Sequence, residues 1–93
     1  MKLFWTPEAI EDRNVIFDYI VANNPVAAIS LDELFSEKAS LLVEQNLLGR
    51  NGRVAGTREL VVHKNYILIY DITETAVRVL RVLHTAKQWP PAS

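Results

Sequence analysis

The side chains of this sequence that could do chemistry are mostly cations, and they concentrate in its second half. Arg50 and Arg53 stand in a short segment that also holds Gly52, and further cations stand in or after apolar stretches. A planar guanidinium suits two-point contacts with phosphate or carboxylate, so these residues are candidates for binding a target or an acidic partner. The candidate binding residues are Arg50, Arg53, Arg58, Arg78, Arg81, Lys87, Gln88 and Trp89.

Two aromatic side chains near the C-terminus each allow two interpretations. His84 is the one plausible general acid or base beside the cations, because its unperturbed pKa of about 6.5 suits proton transfer near neutral pH. The alternative is a structural histidine at the end of a strand. Trp89 could stack on a nucleic-acid base, or it could anchor the C-terminal tail on the core.

Other kinds of site have little support. Gly49, Gly52 and Gly56 lack the spacing of a phosphate-binding loop, and they precede a predicted strand rather than a helix. Cysteine is absent, and the two histidines have no carboxylate at a recognisable ligand spacing, so neither a metal ion nor another cofactor is expected. No serine stands in a nucleophile elbow, and no apolar run is long enough to span a membrane.

The N-terminal half predicts a helical hairpin that could support such a site. Thr6-Pro7-Glu8 is a helix start, and Asn24-Pro25 starts a second helix directly after the first. Arg13 stands inside the first apolar arc, and we interpret it as a side chain that snorkels at the edge of that arc. The predicted apolar faces are Ala9, Ile10, Ile16, Phe17, Ile20 and Val21 in the first helix, and Ala27, Leu31, Leu34, Phe35, Leu41 and Leu42 in the second.

The C-terminal half predicts a sheet. Residues 49–57 are a loop, and the β-branched and aromatic runs at 60–62, 66–70 and 77–83 are strands that short turns make antiparallel. Lys2 to Trp5 is a further strand at the sheet edge. The predicted fold class is therefore α+β, in the order β-α-α-β-β-β, with the helical hairpin packed on one face of an antiparallel sheet. The other face is left free as a working surface.

The last strand places its two arginines on different faces if its side chains alternate strictly. One arginine then points toward the helices, unless a bulge intervenes. Because an unpaired arginine in a central strand is costly to bury, pairing with Asp12 or Asp18 is the structural alternative to partner binding. The two predicted sets are Arg78, Leu80, Val82 and His84 on one face, and Val77, Val79, Arg81 and Leu83 on the other.

The net charge of -1 hides a division between the two halves. Residues 1–46 hold three Lys or Arg and eight Asp or Glu, a net charge of -5, whereas residues 47–93 hold seven and three, a net charge of +4. An acidic half and a basic half can face different partners. A length of 93 residues fits one domain spanning 1–93, and the N-terminus does not read as a signal peptide, so a cytoplasmic location is expected.

Several of these segments resemble the RelE/ParE toxins. Gly49-Arg50 and residues 52–62, GRVAGTRELVV, resemble the loop and second strand of that family. Residues 66–70 resemble its third strand, and residues 79–90, VLRVLHTAKQWP, resemble its C-terminal signature. The helical hairpin fits as well, so the likeness covers nearly the whole chain. Arg13 departs from the leucine that the family pattern leads us to expect.

The resemblance implies the toxin half of a type II toxin–antitoxin operon. Its partner would be a ParD/RelB-like antitoxin whose flexible segment wraps the toxin and folds on binding. The pair would bind operator DNA through the antitoxin alone.

The family divides on its target, and both branches stay open from the sequence. ParE-like members inhibit DNA gyrase without an RNase site, and the C-terminal signature resembles this branch more closely. RelE-like members are endoribonucleases that cut mRNA on the ribosome; in that case the catalytic residues would be His84, Arg58, Arg81 and Lys87. The low net charge and the lack of a tyrosine after His84 favour gyrase. A third possibility is an interaction module that has lost toxicity, which the intact basic cluster disfavours.

Overall fold

The computed structural model describes residues 1–90 as two helices and a five-stranded sheet. This confirms the predicted fold class and element order, with one added short strand in the segment predicted as a loop. The predicted domain runs to residue 93, and its last three residues lie outside the described part. The elements are β1 (Lys2–Trp5), α1 (Pro7–Val21), α2 (Pro25–Leu41), β2 (Arg50–Asn51), β3 (Arg58–His63), β4 (Tyr66–Ile72) and β5 (Ala76–His84).

The strands lie in the order β1-β5-β4-β3-β2. The predicted antiparallel pairing of β3 with β4 and of β4 with β5 is confirmed, and β2 pairs antiparallel with β3. β1 lies at the sheet edge as predicted, but it runs parallel to β5, with Lys2 opposite Ala76 and Trp5 opposite Val79. Parallel neighbours need a long connection, and the helical hairpin with the other strands supplies one.

Both helices begin where the sequence predicts. The side chain of Thr6 accepts a hydrogen bond from the backbone N–H of Ala9 at 3.1 Å, and Asn24 Oδ1 accepts from Ala27 at 3.1 Å. A proline occupies the first turn of each helix, where its missing N–H is not needed. No helix in the described residues is long and apolar enough to cross a membrane.

The helices cover one face of the sheet. Phe35 of α2 is 1% exposed, and it packs with Leu68, Tyr70 and Val79 of the two central strands in the main core cluster. The predicted apolar faces are wrong at their margins. Ile10 is 49% exposed and Leu41 is 42% exposed. Ala9 is buried as predicted, and Ala28 and Ala39, outside the predicted faces, are buried as well, because small side chains let the helices lie close to the sheet and to each other.

Arg13 joins the two helices rather than snorkelling into solvent. Its Nε donates to Asp32 Oδ1 at 2.9 Å, and its Nη2 donates to Ser36 Oγ at 2.8 Å, both on α2. The guanidinium also lies 4.5 Å from the centre of the Trp5 ring. The snorkelling interpretation is therefore wrong, since only 18% of the side chain is exposed. An arginine can therefore replace the expected leucine at position 13, because Asp32 and Ser36 of α2 accept its hydrogen bonds.

A buried hydroxyl anchors the segment that leads into β2. Tyr70 OH accepts from the backbone N–H of Gly49 at 2.9 Å and donates to the carbonyl of Asn46 at 2.8 Å. A Cβ at position 49 would lie 2.7 Å from the Glu59 carbonyl oxygen and 2.8 Å from the Tyr70 ring, so this close approach requires glycine.

Candidate functional site on the open face of the sheet

The face of the sheet that the helices leave uncovered carries most of the predicted site residues. The strand register places Glu59 of β3 opposite Ile69 of β4, and Ile69 opposite Arg81 of β5. Arg78 lies opposite Asp71, further along the same two strands. The open face therefore brings together charged residues from three neighbouring strands.

A small apolar cluster lies at the centre of this face. Ile67, Ile69 and Leu83 are buried in it, and Leu80 and Trp89 pack against them. Trp89 thus anchors the C-terminal tail on the sheet, as one of its two interpretations predicted. The Arg81 guanidinium lies 5.6 Å from the centre of the Trp89 ring, within the range of a cation–π contact.

A bulge changes which face each residue of β5 occupies. Ile69 pairs with Arg81 while the next residue, Tyr70, pairs with Val79, so Leu80 is the extra residue. The bulge that the sequence left open is present, so strict alternation ends at Val79 and the two predicted sets do not hold beyond it. Val82 joins Val79 in the core under the helices, and Arg81 shares the open face with Arg78.

Arg81 reaches over the edge of the sheet to a helix carboxylate. Its Nε donates to Asp12 Oδ2 at 2.7 Å and its Nη2 donates to Oδ1 at 2.9 Å. The backbone N–H of Val82 donates to the same carboxylate at 2.9 Å. β1 ends before this part of β5, so Asp12 also satisfies an edge donor that no strand covers. These bonds to Asp12 raise the pKa of Arg81 further, against the opposing effect of burial.

Arg78 pairs with a carboxylate of the sheet rather than of a helix. Its Nε donates to Asp71 Oδ1 at 2.8 Å, and its Nη2 donates to Oδ2. The hydrogen bond to Asp71 and the charge of that carboxylate raise the pKa of Arg78. Of the predicted helix carboxylates, Asp12 is used by Arg81, and Asp18 is exposed. Because 48% of the Arg78 side chain remains exposed, it can also contact a partner.

A third carboxylate, Glu59, forms ion pairs with two arginines, Arg50 of β2 and Arg53 just after that strand. Glu59 Oε1 accepts from Arg50 Nη2 at 3.3 Å, and Oε2 accepts from the backbone N–H of Arg53 at 3.0 Å. The Nε of Arg53 lies 3.4 Å from Oε2. Burial alone would raise the pKa of Glu59, but the hydrogen bonds from Arg53 and Arg50 and the charges of both arginines together lower it. Glu59 is therefore a buried carboxylate held in its charged form.

Arg58 has a structural environment. Its Nη1 donates to Asn51 Oδ1 at 2.9 Å, and its Nη2 donates to the carbonyls of Leu47 and Gly49. Its Nε is buried and has no partner among residues 1–90. These contacts tie the start of β3 to the segment before it and leave few donors for a ligand.

His84 and Lys87 line a different surface from the arginines. His84 lies opposite Tyr66, whose ring packs edge-on against both His84 and the core residue Phe35. With Lys87 they border a groove of about 650 Å³ between α1 and the free edge of β5. The Nδ1 of His84 accepts from the backbone N–H of Ala86 at 3.0 Å, which leaves Nε2 to carry the proton of the neutral ring.

The four residues predicted for an RNase do not converge on one point. Arg58 lies opposite Tyr70, and His84 lies opposite Tyr66 of the same strand. Four residues of strand span about 13 Å, and the two strand spacings between β3 and β5 add about 10 Å across the sheet. A proton-transfer group must lie within about 3 Å of the proton that it moves, or one water away. Gln88 and Lys87 are exposed on the tail. Residues 1–90 contain no group of three histidines or carboxylates placed to hold a metal ion.

Two carboxylates of this face, Glu59 and Asp71, escaped the sequence interpretation. Glu59 stands between Arg58 and Leu60 at the head of an apolar strand, a position that a charged residue seldom occupies without a partner. That signal, close to two arginines of the preceding segment, could have indicated the pairing. Asp71 gave no comparable signal, because its pairing with Arg78 depends on the register of β4 and β5.

Comparison with known proteins identifies a family and similar sequences. A family model for the ParE toxin of the type II toxin–antitoxin system parDE matches residues 3–89. The chain is 34% identical over 90 residues to Y4kP, a candidate toxin of Sinorhizobium fredii, and the match covers 96% of this chain and 93% of Y4kP. It is 33% identical over 86 residues to toxin RelE2 of Caulobacter vibrioides, and the match covers 92% of this chain and 97% of RelE2.

Solved structures share the fold. A chain of the chromosomal ParDE toxin–antitoxin system from P. aeruginosa superposes with a TM-score of 0.80 at 25% identity, covering 90% of this chain and 95% of that one. A chain of the RelBE2 toxin–antitoxin complex from Mycobacterium tuberculosis gives a TM-score of 0.62 at 25% identity, with 89% and 95% coverage.

Proposed function

From the premise that this chain belongs to the ParE toxin family, and so to the type II toxins of the RelE/ParE superfamily, we propose that it arrests growth by binding DNA gyrase. It acts as a binding protein in the cytoplasm and catalyses no reaction of its own.

The observation that carries this proposal is the separation of the candidate catalytic groups. Cleavage of RNA at a 2′-hydroxyl needs a base, a phosphate stabiliser and an acid around one bond. Here Arg58 is bonded to main-chain carbonyls, Arg81 is held by Asp12, and His84 lies on the other side of the sheet from Arg81. A binding surface has no such requirement, because its contacts can be spread over a whole face.

The distribution of charge supports a protein target over RNA. Each of the four open-face arginines, Arg50, Arg53, Arg78 and Arg81, lies within 3.4 Å of a carboxylate oxygen, so the face is not a strongly positive surface. Binding to a nucleic-acid backbone depends on releasing counterions with unneutralised cations. Paired arginines, by contrast, are common in protein interfaces, where they give specificity through planar hydrogen bonding.

A cognate antitoxin neutralises the toxin under this proposal. The ParDE and RelBE2 structures that share the fold are toxin–antitoxin systems. The antitoxin of this chain is ParD- or RelB-like, and it is the component that contacts operator DNA. We expect it to bind the basic half of the chain through an acidic segment.

The proposal is tested with purified toxin, freed of antitoxin, gyrase, ATP and supercoiled plasmid. We expect trapped, cleaved plasmid to accumulate with toxin concentration. The charge-reversal variant Arg50→Glu/Arg53→Glu should lose this effect. The matched control is Lys64→Glu, in the turn between β3 and β4. It reverses a positive charge of the same basic half at a distance from Arg50 and Arg53, so the variant should still trap cleaved plasmid.

The alternative target is tested in parallel by primer extension on translating ribosomes. We expect no mRNA cuts in the ribosomal A site. If A-site cuts appear while the plasmid remains intact at a stoichiometric excess of toxin over gyrase, the chain is an RNase and the gyrase proposal is wrong.

A further inference from the structure

Glu59 is an unusual residue for the open face, because its charge is buried under side chains that are themselves exposed. Its side chain is 1% exposed, whereas those of Arg50 and Arg53 are 63% and 44% exposed. A buried carboxylate is costly unless cations and hydrogen-bond donors surround it. The two arginines and the Arg53 backbone N–H meet this need from above, on the side that faces solvent.

The two arginines use few of their donors in this contact. Arg50 donates through Nη2, and Arg53 offers Nε at 3.4 Å while its backbone N–H makes the shorter bond. Neither guanidinium donates another hydrogen bond to the described residues. Each guanidinium carries five N–H donors, so most of them remain available. Glu59 therefore fixes the two side chains at one edge and leaves their other edges turned outward.

The surrounding segment is held rigidly enough for this fixation to matter. Tyr70 binds the backbone at Gly49 from below, and Arg58 binds the carbonyls of Leu47 and Gly49. The Arg53 backbone N–H is bonded to Glu59, so the chain from Leu47 to Arg53 is held by hydrogen bonds at three positions. A long side chain that is already ordered loses less entropy when a partner binds it.

We infer that Glu59 is a positioning residue that holds Arg50 and Arg53 ready to bind carboxylate groups of the protein partner through which the toxin acts. The net charge of the three residues is +1, and the whole chain carries -1, which suits acidic side chains of a protein better than a nucleic-acid backbone. The inference deepens the proposed function and rests on it for the identity of the partner alone.

The first test is a measurement on the unmodified toxin. Nuclear magnetic relaxation of the arginine Nε–Hε groups should show Arg50 and Arg53 to be more ordered than an exposed arginine without such a tether. In Glu59→Gln their order should fall to that of a free side chain. Arg50 and Arg53 side chains that are already mobile in the unmodified toxin would overturn the inference even if no Glu59 variant folds.

The second test uses growth arrest, which does not depend on knowing the target. Glu59→Gln should raise the toxin dose for half-maximal arrest about tenfold, equivalent to about 1.4 kcal/mol of binding. Adding Arg50→Lys/Arg53→Lys to Glu59→Gln should change the dose little further, because the arginines then no longer act as a fixed pair. The matched control is Asp32→Asn, which breaks the interhelix pair with Arg13 and should lower stability without changing the dose.

The outcomes separate this inference from the gyrase proposal. An unchanged dose in Glu59→Gln, or fully additive effects of the arginine substitutions, would overturn the positioning role while leaving gyrase as the target. Intact plasmid in the gyrase assay together with a Glu59-dependent dose would reject gyrase and keep the positioning role. If Asp32→Asn raises the dose as much as Glu59→Gln, the effect is one of stability and the inference is wrong.

Discussion

The helix-covered face of the sheet buries an aliphatic and aromatic core, whereas the open face displays four arginines that are each paired with a carboxylate. On the covered face the fully buried Tyr70 hydroxyl is satisfied by two backbone groups. On the open face Ile67, Ile69 and Leu83 form only a small cluster, and Trp89 packs over it. The two faces of the same strands therefore have different roles.

The difference teaches that stability and recognition are separated across one sheet. The covered face gains from close packing, and an unpaired charge there would be costly. Arg58, opposite Tyr70 at the margin of that face, is bonded to Asn51 and to main-chain carbonyls. The open face holds its cations in place with Asp12, Asp71 and Glu59, at different degrees of burial. A substitution should therefore reveal by its effect which face it belongs to.

The largest effect is expected in the covered core. Phe35→Ala should lower the free energy of unfolding by about 3–5 kcal/mol, because it leaves a cavity beneath α2. Trp89→Ala, on the open face, should lower it by about 1–2 kcal/mol, since the indole covers a smaller cluster. Urea denaturation followed by circular dichroism measures both. Equal losses in the two variants would contradict the division between the faces.

The next largest loss of stability is expected at Asp12, whose carboxylate joins α1 to β5. Asp12→Ala removes the acceptor of Arg81 and of the Val82 N–H, and should lower the free energy of unfolding by about 2–3 kcal/mol. The comparison variant is Asp71→Ala, which frees the exposed Arg78 and should leave the urea midpoint unchanged. If Asp71→Ala is as destabilising as Asp12→Ala, exposure does not set the strength of these pairs.

A smaller effect is expected from the protonation of Glu59. Its pKa is lowered in the folded state, so its contribution is complete above the ordinary glutamate pKa of 4.5 and is lost as the pH falls through the lower folded value. The free energy of unfolding of the unmodified chain should therefore fall toward that of Glu59→Gln as the pH drops below 4.5. Paired urea titrations of the two proteins measure the difference. A difference that does not depend on pH would show that Glu59 is not held in its charged form.

The smallest effect is expected at His84. His84→Ala should leave growth arrest and plasmid cleavage unchanged, because His84 lies on the other side of the sheet from the open-face arginines. His63→Ala, at the neighbouring exposed histidine of β3, is the matched control. A large loss of toxicity confined to His84→Ala would move the working surface from the open face to the groove beside α1.

Much of the fold could be predicted from the sequence because its signals are local. Thr6 and Asn24 cap the helices through contacts three residues away, and alternation and short turns define β3, β4 and β5. The predicted apolar faces of the helices were wrong at their margins, as at Ile10 and Leu41. Burial there depends on which other elements pack against the helix. The parallel pairing of β1 could not be predicted, since its partner, β5, is about 70 residues away in the chain.

The candidate site was predicted in its residue types but not in its connections. The sequence identified the arginines as candidates. It did not indicate that Glu59 pairs with Arg50 and Arg53, or that Arg58 is bonded to the main chain. Those contacts depend on register, and one added residue at Leu80 moves Arg81 onto the face of Arg78. Local patterns do not encode a bulge, so the sequence left the orientation of the two arginines open.

The sequence by itself determined the elements, the acidic and basic halves and the resemblance to the toxin family, because each depends on residue order and composition. The tertiary structure decided which charges meet. Asp12 contacts Arg81 across 69 residues, and the bulge and the end of β1 make that contact possible. Ion pairs depend on distances of a few ångströms between distant parts of the chain, and only the folded arrangement of helices and strands sets those distances.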